Sequence, residues 1–348
     1  MIASKTRMGG NIHLLLGTLL LSACMSMQKS PINTQAIDTR YLPSPDIQLV
    51  IDGLGPCTDA GDRTLRLKSG EPVNILVHGC YASAGRFRAL AQVFAFQGQQ
   101  AICYNYDDRA SLAVVARDLR QSLDSLAGLT GHPEITLIGH SQGGLIARHA
   151  LTTGIAETSD LNQTRQQLIT LSAPFSGIRA ADHCASHTAR IISLGLVIPI
   201  CMAISGDKWL EITHASDFIR RPGRLHPSVE EHLLIATDEA GSCRTRTDDQ
   251  CREDDYVFSL AEQKLPPTLT SPLVRQITLK AGHTEIVGIG EHIPEVLIRT
   301  LQEEGILGKP EPARMSAYDN LLKTLYLSEW GRTATRNLNH VPARIHSD

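Results

Sequence analysis

Residues 134–151, EITLIGHSQGGLIARHAL, restrict this chain more than any other stretch. The apolar, β-branched run Ile135 to Ile138 predicts a buried strand, and Leu145, Ile146, Ala150 and Leu151 recur at helical spacing after it. Between them Gly139-His140-Ser141-Gln142-Gly143 predicts a sharp turn. A strand that turns so abruptly into a helix needs small residues two before and two after the centre of the turn, and both are glycine. The centre is Ser141. The turn forces its backbone into strain and lifts its hydroxyl above the sheet at the positive end of the helix, where an oxyanion would be stabilised. Such a segment is a nucleophile elbow.

The chain is long enough to bury one large α/β core or two modest ones: it has 348 residues, 42% apolar and 20% charged. Its first residues differ. Lys5 and Arg7 precede an apolar run, Ile12 to Leu21, too short to span a bilayer comfortably, and Leu21-Ser22-Ala23-Cys24 closes it with small residues. This resembles a bacterial lipoprotein signal (1–23) with Cys24 as the lipidated residue; an ordinary secretory signal or an uncleaved anchor helix is the alternative. The expected location is the bacterial cell envelope, lipid-anchored to the outer membrane or facing the periplasm. Without residues 1–23 the balance is 31 Lys and Arg against 36 Asp and Glu. That mildly acidic surface, with no concentrated basic face, argues against a nucleic-acid partner and rests membrane attachment on lipid.

An oxidising compartment makes the remaining cysteines candidates for disulfides. Cys243 and Cys251 bracket a short polar loop and form the favoured pair, with Cys184 and Cys201 second. The alternative is that several are reduced, buried small residues, which suits Cys80 and Cys103 beside apolar strands.

Residues 24–45 are polar and proline-containing, as a tether would be, and the folded body is expected from 46 to 304. Short strands are predicted at Ile47 to Ile51 and Thr64 to Leu67. Val73 to Val77 follows and runs into His78-Gly79-Cys80-Tyr81, before a helix over Gly85 to Gln97. Gln100 to Tyr106 reads as a strand, Ser111 to Ala127 as an amphipathic helix, and Gln167 to Leu171 as a strand that leads into Ser172-Ala173-Pro174. Strand and helix alternate repeatedly. The fold class is therefore α/β, a mostly parallel central sheet with helices on both faces and the site at the carboxyl ends of its strands.

The HG after one strand, GHSQGG after a later one and SAPFSG after the next together resemble the lipase and esterase branch of the α/β-hydrolase superfamily, over residues 47–304. The resemblance implies a serine hydrolase cleaving carboxylic esters of lipid or acyl type, without cofactor or metal, through an acyl-enzyme on Ser141. It implies oxyanion donors at the backbone amides of Cys80 and Gln142, and a triad in the order serine, acid, histidine. After the predicted strand His232 to Thr237, the D-x-x-V context common in the family falls on Asp254, with Asp255 the immediate runner-up. His283, beyond the strand Val274 to Leu279, is the expected base, before a helix around Glu291 to Gln302. An acyltransferase with the same triad, or a non-catalytic envelope lipoprotein on this scaffold, are the other readings.

His183 and His187 would share a helical face, but no further metal ligand is suggested nearby. Residues 178–231 exceed what one crossover needs and are expected to form a helical cap. Their uncharged run Ile191 to Ile204 would be either an apolar lid or a helix buried on the sheet. Residues 305–348 are expected to hold one amphipathic helix, Ala317 to Trp330, and a polar tail.

Overall fold

The structure, a computed structural model, describes residues 32–152, 159–179, 208–248, 250–266, 271–288 and 292–328. The signal and Cys24, the Cys184–Cys201 pair, the two histidines at 183 and 187, and most of the cap lie outside these residues. Among the described residues no helix is long and apolar enough to cross a membrane, and no group of three or more His, Cys, Asp or Glu side chains could hold a metal ion.

A seven-stranded sheet carries the molecule. Its strands are β2 (Leu54–Gly55), β4 (Val73–Val77), β5 (Gln100–Tyr104), β6 (Glu134–His140), β7 (Arg165–Leu171), β8 (Val229–Asp238) and β11 (Val274–Lys280), in the order β11-β8-β7-β6-β4-β5-β2. All neighbours pair in parallel except the short edge strand β2, which runs antiparallel to β5. Two small antiparallel pairs lie outside it, β1 (Ile47–Leu49) with β3 (Leu65–Leu67), and β9 (Cys243–Thr247) with β10 (Gln250–Asp254).

Because successive strand residues point to opposite faces, the central strands feed two separate cores. On one face Ile75, Val77, Leu137 and Leu168 pack with Leu119 and Leu123 of helix α2 (Leu112–Thr130) and Ile146 of α3 (Gln142–Ala150). On the other, Leu76, Ile138 and Ile235 pack with Phe94 of α1 (Arg88–Phe96), Leu301 of α5 (Glu295–Glu303) and Tyr318 of α6 (Met315–Leu322). Helix α2 begins where the Ser111 hydroxyl accepts the amide of Val114 and ends at Gly131, whose φ of 58° suits the left-handed cap. Where one helix is expected over Ala317 to Trp330, α6 passes into a π-helical segment, Lys323–Ser328, and residues 329 and 330 lie outside the described residues.

Residues 33–41, expected within a tether, run across α1. The amide of Asp38 donates to Gln92 Oε1 at 2.7 Å, Arg88 Nε donates to the carbonyl of Gln35 at 2.9 Å, and Tyr41 packs edge-on against Phe96. The cation of Arg314 covers both of those rings at 4.2 Å.

Cys243 and Cys251 are disulfide-bonded across the β9–β10 hairpin. Cys103, for which a reduced state was one expectation, is instead bonded to Cys57, joining β5 to the chain just beyond β2. Cys80 is the free thiol among the described residues. The Cys57–Cys103 link closes a separation of 46 residues, so loop entropy assigns it about 4 kcal/mol. Urea unfolding of Cys57→Ser should show a loss of that order, and an unchanged midpoint would remove the stabilising role.

Candidate active site

The turn after β6 takes the conformation its glycines permit. Ser141 has φ 56° and ψ −125°, a strained region for a residue with a side chain. A Cβ on Gly143 would lie 2.3 Å from the Val77 carbonyl oxygen, and one on Gly139 would lie 2.5 Å from the carbonyl oxygen of Gly143. Neither position admits a larger residue without moving backbone. Next to Ser141 lies the end of β4: a Cβ on Gly79 would sit 3.0 Å from Ser141 Cβ. The chain just before Cys80 therefore borders the serine. His78 itself is turned into the core, stacked on Tyr106 at 4.2 Å, and burial pushes its pKa down to about 4, so it is neutral at ordinary pH.

His283 leaves the sheet just past β11 and is 1% exposed. Its ring lies 4.8 Å from that of His140, the residue before Ser141, and its carbonyl oxygen bonds His140 Nε2 at 2.9 Å. His140 is buried, and burial followed by the nearby His283 holds its pKa well below the usual histidine value. It packs under the turn as a neutral ring.

The carboxylate beside His283 is Glu239. Its Oε1 lies 3.1 Å from His283 Nδ1 and accepts hydrogen bonds from Ser172 Oγ at 2.7 Å and Thr237 Oγ1 at 2.9 Å. Its Oε2 accepts the amides of Val257 at 2.6 Å and Phe258 at 2.8 Å. Burial alone would raise this carboxyl's pKa, but the bond to His283 and the two backbone donors outweigh it and hold the pKa below the ordinary glutamate value. Ser172 Oγ also lies 2.8 Å from His283 Nδ1, so hydroxyl and carboxylate share that nitrogen.

The expected acid, Asp254, is not brought to the histidine. It ends β10 exposed, and its Oδ1 accepts the amide of Tyr256. Residues 243–254 form a disulfide-bonded hairpin that leaves the sheet and returns, and the carboxylate beside His283 lies before this excursion, directly at the end of β8. The runner-up, Asp255, is fully buried but supports the histidine loop instead. Its carboxylate accepts the amides of Thr284 and Glu285, each at 2.9 Å, and the Thr284 hydroxyl at 2.8 Å, and is paired with Arg244. The missed signal was the sequence Thr237-Asp238-Glu239 at the end of a strand already recognised. Asp238, first in line, faces solvent and pairs with Lys280 at 3.1 Å; alternation turns the next residue inward.

Strain marks the same region. The described non-glycine residues with positive φ are Tyr81 (55°), Ser141 (56°), Ser172 (49°) and Asp248 (50°). Three of the four border this site, where backbone strain is characteristically retained.

A doubly covered, mostly parallel sheet with a strained serine between β6 and α3, and a histidine on a carboxylate beyond the following strands, defines the α/β-hydrolase fold. Within it, residues 70–221 match the family Lipase (class 2), which supports an enzyme that hydrolyses esters. Solved structures are similar to the chain at low identity. The lipase BlEst2 of Bacillus licheniformis in its propeptide form shares 16% identity and a TM-score of 0.50, over 77% of this chain and 55% of that one. Its mature form gives 15% and 0.46, over 76% and 100%. Lipase B of Aspergillus fumigatus gives 14% and 0.45, over 90% and 70%. No curated protein sequence matches the chain.

Proposed function

We propose that this chain is a serine hydrolase that cleaves carboxylic esters, with lipid or other acyl esters as the substrate class, through an acyl-enzyme on Ser141. One observation carries the reading: His140, the residue before the strained Ser141, packs against and is hydrogen-bonded to His283, whose Nδ1 is held by a buried carboxylate. With Nδ1 engaged, Nε2 is the nitrogen left to act as base.

Ser141 Oγ attacks the ester carbonyl carbon as His283 Nε2 takes its proton. The carbonyl oxygen becomes an oxyanion, met by the amides of Cys80 and Gln142. When the tetrahedral intermediate collapses, His283 returns the proton to the departing alkoxide, leaving Ser141 acylated. Water then attacks the acyl carbon with His283 again as base, and the acid product departs. Glu239 fixes the tautomer of His283 and stabilises its imidazolium form. The family match over residues 70–221 supports acyl esters as substrates, and a lipid anchor on Cys24 would hold the enzyme at a membrane.

The test uses the full-length chain in detergent with p-nitrophenyl esters of graded acyl length and a p-nitrophenyl alkylphosphonate. Ester turnover is expected, together with a phosphonyl adduct on the peptide that contains Ser141. Absence of both overturns the proposal. Intact mass of the same preparation reads acylation of Cys24, and an unacylated cysteine in the native host would overturn the anchor.

A further inference from the structure

The described end of the insertion reaches the candidate oxyanion loop. Lys208 lies in helix α4, described over Lys208–Glu211, and its side chain is only 2% exposed. Its ammonium lies 2.8 Å from Cys80 Sγ and 3.4 Å from Asp108 Oδ2. The same carboxylate oxygen accepts the amide of Tyr81 at 2.6 Å, in a loop whose backbone at Tyr81 is strained. The carbonyl oxygen of Asp108 accepts the side-chain amide of Gln142 at 3.2 Å. Residue 108 is thus bonded on one side to the loop of one proposed oxyanion donor and on the other to the second donor residue. Lys208 touches both that carboxylate and Cys80.

The far end of α4 is fixed as well. Glu211 accepts the Ser111 hydroxyl at 2.7 Å and also bonds the amide of Leu112, where a carboxylate favours the first turn of α2. An ammonium withdrawn from water is costly unless paired, so the Lys208 position is set by Asp108 and the two move together.

We infer that Lys208 and Asp108 are positioning residues, a brace through which the insertion holds the Cys80–Tyr81 loop at the spacing the oxyanion needs. The inference rests on the oxyanion assignment made above. Neither side chain has to touch the substrate. A misplaced donor is felt mainly where charge develops, so loss of the brace lowers kcat and leaves KM nearly unchanged.

The experiment compares the full-length chain with Lys208→Met, Lys208→Arg and the near-isosteric Asp108→Asn. Readouts are kcat and KM for p-nitrophenyl butyrate, Ki for n-butylboronic acid, which forms a tetrahedral adduct on a serine, and thermal midpoint. Loss of one oxyanion donor outright costs about 10²–10³ in kcat; a displaced donor should cost less. Lys208→Met and Asp108→Asn are therefore expected to lower kcat about 10–100-fold with KM within about 2-fold, and to raise the boronic acid Ki in step. Lys208→Arg should recover most of the loss. Folded Lys208→Met or Asp108→Asn protein with parental kcat and Ki, whatever its thermal midpoint, overturns the brace alone. A parent that neither turns over esters nor labels at Ser141 overturns the proposed function and the brace with it.

Discussion

Ser141→Ala is expected to lower kcat/KM for p-nitrophenyl butyrate by about 10⁵–10⁶, close to the background rate, because the remaining members of such a unit do little without their nucleophile. The fold should not register the change. Alanine at φ 56° is strained much as serine is, and no side-chain hydrogen bond of Ser141 caps α3, so the thermal midpoint should stay within about 2 °C of the parent. A variant that retained parental turnover would exclude acyl transfer to this residue. A variant that lost activity only by unfolding would be recognised by its far-ultraviolet dichroism.

Glu239→Gln should be the next most damaging. The amide keeps the shape but removes the charge that favours the imidazolium, and it can present a donor to a nitrogen that must itself donate. Loss of the acid in a comparable triad costs about 10⁴ in kcat. Here Ser172 Oγ also lies 2.8 Å from His283 Nδ1 and remains able to accept its proton in a hydrogen bond, so a fall of about 10³–10⁴ is expected, with KM little changed. Asp254→Asn, at an exposed hairpin end, should leave kcat within about 2-fold, as surface changes usually do. Asp255→Asn should mainly lower stability, since it weakens the support of the Thr284 and Glu285 amides. The reverse order, with Asp254→Asn inactive and Glu239→Gln active, would return the acid to position 254.

The central fold was legible because its elements repeat simple patterns. The stretches at 73–77, 135–140 and 168–171 are buried on both faces, and the helix at 112–130 buries Leu112, Leu119, Leu123 and Leu126 on one side. The candidate residues Ser141 and His283 were legible because each sits where a strand ends. The carboxylate beside His283 was harder to read. The choice among Asp238, Glu239, Asp254 and Asp255 depends on which strand-end residue turns inward and on a hairpin whose return is tertiary. The Cys57–Cys103 bond was hidden for a similar reason: it joins residues 46 apart that come together only when β2 takes the sheet edge. Ser172 gave no sign of its place either, because its bonds to Glu239 and His283 join three separate strand ends.

Tyr81, Ser141 and Ser172 lie beyond the ends of β4, β6 and β7, which are neighbours in the sheet. The amide of Ser141 is held by the Leu171 carbonyl and that of Ser172 by the Ile235 carbonyl, so these two unfavourable backbone angles are each sustained by the adjoining strand, while the amide of Tyr81 is held by the Asp108 side chain. On warming, the two strand-held junctions have the most to gain from a slight parting of the strand ends. The molecule would then lose its ability to turn over substrate several degrees before its helices melt, and cooling from that interval would restore it.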